Sequence, residues 1–251
     1  MASINDRGPQ VYAVAVAFFA LAAVSLLLRC YVRLRMTKAF GLDDWFMVAA
    51  MISFTFNTAT CLVGVNHGTG RHHWDISNTK DLSAALMYWW YCYLSYAISM
   101  ILSKTSIACF LVRITPHRIH RWIIYIALGL SIFCGLAFFC IALFQCLPIE
   151  YFWTRTGSGY CMAVDVIINI VYAYSAMSII TDSTFTILPV WLVWHLQMDK
   201  KTKLALIPIL SMACSKQISG LFFFNTLFSI FIDRILPIGG NDFFMNVSQY
   251  F

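Results

Sequence analysis

AISMILSKTSIACFLV, residues 97–112, reads as a membrane-crossing helix with a single charge, Lys104, in its middle. SAMSIITDSTFTILPV, residues 175–190, repeats the arrangement with Asp182. A charge held in the bilayer core costs at least ~2.5–3.5 kcal/mol, so each of these residues needs a partner or a purpose. Lys104 lies nine residues before Arg113, about 14 Å along a helix. Asp182 lies twelve before Trp194, about 18 Å by the same rise. The lysine side chain can cover the difference, so a pair is feasible. Such a pair is either a static contact that fixes helix register or a working element: a polar lock between two helices, or part of a proton, ion or ligand path.

The rest of the chain agrees with a bilayer setting. Of 251 residues, 61% are hydrophobic and 11% charged, with mean hydropathy +0.75. A water-soluble domain of this size would have a largely apolar surface. The apolar runs are continuous rather than alternating, which excludes a β-barrel. The expected fold is all-α, a polytopic transmembrane helix bundle, with spans at 12–28, 45–65, 84–114, 122–145, 162–194 and 204–232. MASINDRGPQ and the run after it lack the form of a cleavable signal peptide. No internal repeat or separate soluble domain is visible, so 1–251 reads as one transmembrane domain.

Charge sets an expected orientation. Arg29, Arg33, Arg35 and Lys38 follow the first span, Arg113, Arg118 and Arg121 the third, and Lys200, Lys201 and Lys203 the fifth. The opposite segments hold Arg7, Arg71, Lys80, Arg155 and Arg234. This excess places the N-terminus outside and the richer loops in the cytoplasm, with Trp89, Trp90, Tyr91 and Tyr93 as an outer aromatic belt and Trp191 and Trp194 as an inner one. The basic balance suits an anionic inner leaflet, and the plasma membrane is the expected location; no nucleic-acid partner is expected.

Asp43 and Asp44 open the second span in FGLDDWFMV, with Trp45 as an interface anchor. Carboxylates at a helix start cap free amides, the reading favoured here; the alternative is contact with the basic loops. In NHGTGRHHWD, His67, His72, His73 and Asp75 are borderline metal ligands. Their spacing fits no standard zinc signature, and Gly68 and Gly70 more simply give turns, so no metal is expected. Cys146 and Cys161 flank a loop on the oxidising side and would tie the fourth span to the fifth, with Cys92 as an alternative partner for either. Pro189 is expected to kink the fifth span. Lys216 lies at similar depth in the sixth span and could compete for Asp182. No nucleophile–base arrangement, zinc-protease motif or phosphate loop appears, so no enzyme and no cofactor are expected.

Five segments in order resemble the fungal rhodopsin-domain family: FGLDDW (40–45), GVNHGTGRHHW (64–74), SKTSIACFLVRI (103–114), FQCLPIEYFWTRTGSGYC (144–161) and TDSTFTILPVWLVWHLQMDKKTKLAL (181–206). The resemblance runs over about 11–212. It carries Asp43, Asp44, Trp45, Gly68, Gly70, Lys104, Arg113, Cys146, Pro148, Trp153, Cys161, Asp182, Pro189 and Lys203. It implies seven helices in the full family fold and a receptor-like sensor of an external ligand, with a cytoplasmic G protein or scaffold as partner. It does not imply retinal, since a Schiff-base pigment needs a lysine in a seventh helix and Lys104 is in the third. Residues 213–251 depart from the family pattern, which suggests a mis-spliced or truncated end, with Lys216 and the Asn246-Val247-Ser248 sequon accidental. The alternative functions are a transporter or channel using Lys104 and Asp182 as an intramembrane path, a lipid-acting membrane enzyme, or a non-functional truncated copy.

Overall fold

A computed structural model describes residues 8–36, 38, 40–69, 79–115, 117–154 and 158–195. Five long helices carry the fold: α1 (Gly8–Tyr31), α2 (Leu42–Asn66), α3 (Thr79–Ile114), α4 (Arg118–Leu143) and α6 (Val164–His195). Each is long and apolar enough to cross a membrane. Helices satisfy their own backbone hydrogen bonds, which lipid cannot do for them. A π-helical turn, Val32–Met36, prolongs α1. The expected sixth span, 204–232, Lys216 and the sequon lie outside the described residues.

Helix ends follow local chemistry. α4 ends at Leu143, with the Phe144 N–H closing the last i→i−4 bond to the Cys140 carbonyl before the chain turns into a strand. α6 starts later than the hydrophobic run because the Met162 N–H donates to the Gln145 carbonyl instead. Between α4 and α6 lie two short strands, β1 (Cys146–Leu147) and β2 (Tyr160–Cys161), paired antiparallel with Cys146 opposite Cys161. The one-turn helix α5 (Tyr151–Thr154) sits in the loop they close. α6 runs on as helix through Pro189 to His195.

α3 is the central element. It packs on α2, α4 and α6. A β-carbon added at Gly135 of α4 would lie 2.7 Å from Ile101 Cγ1, so α4 approaches α3 closely through this missing side chain, as small residues allow in membrane helix packing. Tyr96, Ala97, Phe138, Val171 and Tyr174 form one apolar cluster, with Phe138 and Tyr174 stacked at 4.5 Å. A second lies toward the other end of α3 and includes Met47, Ile107, Phe110, Leu111, Ile124, Phe185 and Leu188. Outward faces are apolar too, as at Leu27, Ile52, Ile126, Phe133 and Ile187, which suits lipid rather than water.

The aromatic belt read from Trp89, Trp90, Tyr91 and Tyr93 is mostly an interior feature. Trp89 and Trp90 are buried, and Trp90 Nε1 donates to the Ala142 carbonyl at 3.1 Å. Of the four, Tyr91 is exposed.

Candidate functional site

Between the two apolar clusters lies a lysine–aspartate contact that joins α3 to α6. Lys104 is 4% and Asp182 8% exposed, and Lys104 Nζ is 3.1 Å from Asp182 Oδ1. That contact lies outside hydrogen-bond alignment, since Oδ1 accepts no directed bond; the charges meet as charges. The ammonium spends its directed bonds on hydroxyls, donating to Ser178 Oγ at 2.8 Å and Thr181 Oγ1 at 3.0 Å. Ser178 Oγ lies 3.4 Å from Asp182 Oδ2, to which it donates. Residues 178, 181 and 182 stand at i, i+3 and i+4, the spacing that puts side chains on one helix face. One α6 surface therefore surrounds the α3 lysine.

A larger charge cluster sits at the opposite end of α3 from its Thr79 start, where α1 ends and α2 begins. Arg29 is a fork across both carboxylates: Nε donates to Asp44 Oδ1 and Nη2 to Asp43 Oδ2, each at 2.9 Å. Arg33 Nη2 donates to Asp43 Oδ2 at 3.1 Å, and its Nε is 3.7 Å from Asp44 Oδ1. Both guanidinium groups also lie over the Phe110 ring, at 5.1 and 5.2 Å, a favourable cation–π placement. Ser106 Oγ donates to the Asp43 carbonyl at 2.6 Å. Arg113 is peripheral, half exposed and 3.9 Å from Asp43 Oδ1.

The capping reading fits one acid and not the other. Asp44 Oδ2 accepts the Gly41 N–H at 3.1 Å, a cap from the third residue of the helix. The Asp43 carboxylate is held by arginines. A β-carbon at Gly41 would collide with Asp43 Oδ1, so glycine there leaves room for the cluster. Trp45 points away, 64% exposed, with its ring edge-on to Phe40.

At the other end, Cys146 and Cys161 form a disulfide. It closes the loop that carries Trp153 against Trp90, ring centres 5.7 Å apart. The Leu147–Pro148 peptide is cis. Cys92, weighed as an alternative partner, lies instead beside Thr60 and Cys61. His67 Nδ1 is 3.4 Å from Asp81 Oδ1, and its ring stacks on Tyr88. His72, His73 and Asp75 lie outside the described residues, as do Gly70 and Lys203. Gly68 has φ 107°, the turn conformation its residue type allows. Among the described residues, no group of three or more His, Cys, Asp or Glu is placed to hold a metal.

Sequence reasoning paired Lys104 with Asp182 but missed Ser178 and Thr181, although SIITD displays them at helical spacing. It weighed contact between Asp43 or Asp44 and the basic loops as the alternative to capping, but did not single out Arg29 and Arg33. Their four-residue separation, which places both on one face, was the available signal.

Comparison with known proteins agrees with this architecture. No solved structure matches the chain. A protein of Metarhizium anisopliae named "Polyenoic acids biosynthesis gene cluster protein Ba17b" is 25% identical over 193 residues, covering 76% of this chain and 52% of the relative. The matched region thus spans about half the length of that curated relative. The model of the fungal rhodopsin domain matches residues 28–233, beginning within α1 and running past Met212. This multi-span membrane protein belongs to the fungal rhodopsin domain family.

Proposed function

We propose that this protein is a receptor-like membrane sensor in which α3 couples two ion-pair sites. The observation that carries the reading is the sharing of α3. That helix gives Lys104 to the α6 contact, and Ser106 and Phe110 to the arginine–aspartate cluster. A shift of α3 against α6 would therefore be felt where α1, α2 and α3 meet. In this reading the arginine-rich end faces the cytoplasm of the plasma membrane and meets a G protein or scaffold. The protein uses no retinal and catalyses no reaction. A ligand acts by binding one arrangement of α3 and α6 better than another, and only by that difference.

The test places an environment-sensitive fluorophore at position 119, after Ile119→Cys, near the basic end and well exposed in the native chain. Spectra of the wild type and Asp182→Asn are compared in vesicles. The expected result is a shifted spectrum in a variant that still folds. An unchanged spectrum removes the coupling and leaves Lys104–Asp182 a structural contact. The relative is named for a polyenoic acids biosynthesis gene cluster, which makes a polyenoic acid the first ligand class to add in the same assay.

An ion or proton path is the second reading, favoured by the hydroxyl of Ser178 bridging Lys104 and Asp182. The apolar clusters on either side of the pair weigh against continuous water access.

A further inference from the structure

Among the described cysteines outside the Cys146–Cys161 bond, two meet across a helix interface. Cys61 of α2 and Cys92 of α3 are both buried, in one cluster with Val11 of α1. Cys92 Sγ lies 3.3 Å from Thr60 Oγ1 and 3.7 Å from the Asn57 carbonyl oxygen. Asn57 is one turn before Cys61 on the same face of α2, so these contacts put the Cys92 sulfur beside Cys61. The two thiols interact directly across the interface. A disulfide needs its β-carbons about 3.5–4.5 Å apart. That spacing is set by how closely α2 packs on α3, and side-chain rotation then brings sulfur to sulfur.

We propose that Cys61 and Cys92 form a second, reversible disulfide that staples α2 to α3 when a peroxide enters the membrane. Both cysteines are buried in the helix bundle, so a small neutral oxidant reaches them where a charged disulfide would not. In the first step one thiol sulfur attacks a peroxide oxygen. An S–O bond forms, the O–O bond breaks, and an alcohol or water leaves with the proton, giving a sulfenic acid. In the second step the other thiol sulfur attacks it. The S–S bond forms, the S–O bond breaks, and water leaves with the second thiol proton. Two electrons pass from the two sulfurs to the peroxide. Reduction by a thiol reverses the change. The staple would fix the α2–α3 contact near the Cys146–Cys161 end and leave the arginine–aspartate cluster unbound covalently.

The experiment treats vesicles holding the full chain with hydrogen peroxide and blocks free thiols after denaturation. Digests made without reduction are then searched by mass spectrometry. Trypsin cuts at Arg71 and Lys80, between the two cysteines, so a bond shows as one linked pair of peptides. The expected result is that pair, removed by dithiothreitol, with blocking of Cys61 and Cys92 falling together while Cys109 stays fully blocked. Cys61→Ser and Cys92→Ser should each abolish the pair and leave the other cysteine blockable. If a serine variant fails to reach the membrane, the linked wild-type peptide and its reversal decide alone. Cys61 and Cys92 fully blocked after peroxide, or Cys92 found linked to another cysteine, would overturn the proposal.

Discussion

Lys104–Asp182 and the Arg29–Arg33–Asp43–Asp44 cluster both bury neutral sets of charges, but by different chemistry. The inner pair joins one cation to one anion, with side chains 5% and 11% exposed. Its lysine is a point charge whose aligned bonds go to Ser178 and Thr181 rather than to the acid. In the cluster two guanidinium forks interlock with two carboxylates, and the arginines keep 13–15% of their side chains exposed. Arginine matches carboxylate geometry in a way that lysine does not. The inner pair therefore depends on each partner alone, whereas the cluster holds spare contacts. That difference ranks what each site should lose when one group is removed.

The largest effect is expected at the inner pair. Removing either partner leaves an unpaired buried charge, which costs about 3–5 kcal/mol. Lys104→Met or Asp182→Leu should lower unfolding stability in mixed micelles by about that much, and the double variant should recover most of it. Additive losses in the double variant would mean that the two residues are not energetically paired. In the cluster, Asp43→Asn should cost about 1.5–3 kcal/mol, the scale of a hydrogen bond to a charged group, because Asp44 still accepts from Arg29. A loss as large as that of Asp182→Leu would erase the contrast between the sites. Ser106→Ala should cost about 0.6–1 kcal/mol, in line with interhelical hydrogen bonds in membranes. Arg113→Ala, at a half-exposed position 3.9 Å from its acid, should change stability by at most about 1 kcal/mol. A larger loss there would make Arg113 a full member of the cluster.

The same contrast explains what could be read from residues alone. The five long helices follow from hydropathy, because a span in lipid has one backbone solution. Lys104 and Asp182 stood out because each is an isolated charge in an apolar run. Ser178 and Thr181 did not, since most serine and threonine hydroxyls in such helices turn back to their own carbonyls, as Thr184 does to Ile180. Arg29 and Arg33 were hidden for the opposite reason. Basic residues at span ends are ordinary topology signals, and only the return of α2 beside α1 shows them facing Asp43 and Asp44. The sulfurs divided similarly. Cys146 and Cys161 are only 15 positions apart in sequence, but nothing local announces that Cys92 meets Cys61 across a helix packing.

The sequence distance spanned by the inner contact has a consequence for how the chain is made. Arg29 and Asp44 are 15 residues apart, so the cluster can close as soon as α2 emerges. Lys104 and Thr181 are 77 residues apart. Translation at about 5–20 residues per second makes α6 follow α3 by roughly 4–15 seconds. Through that interval α3 must sit in the membrane with its ammonium unanswered. A slowed ribosome or a weakened α4 would lengthen the exposure, and a quality-control protease that recognises a lone intramembrane charge would have its best opportunity then.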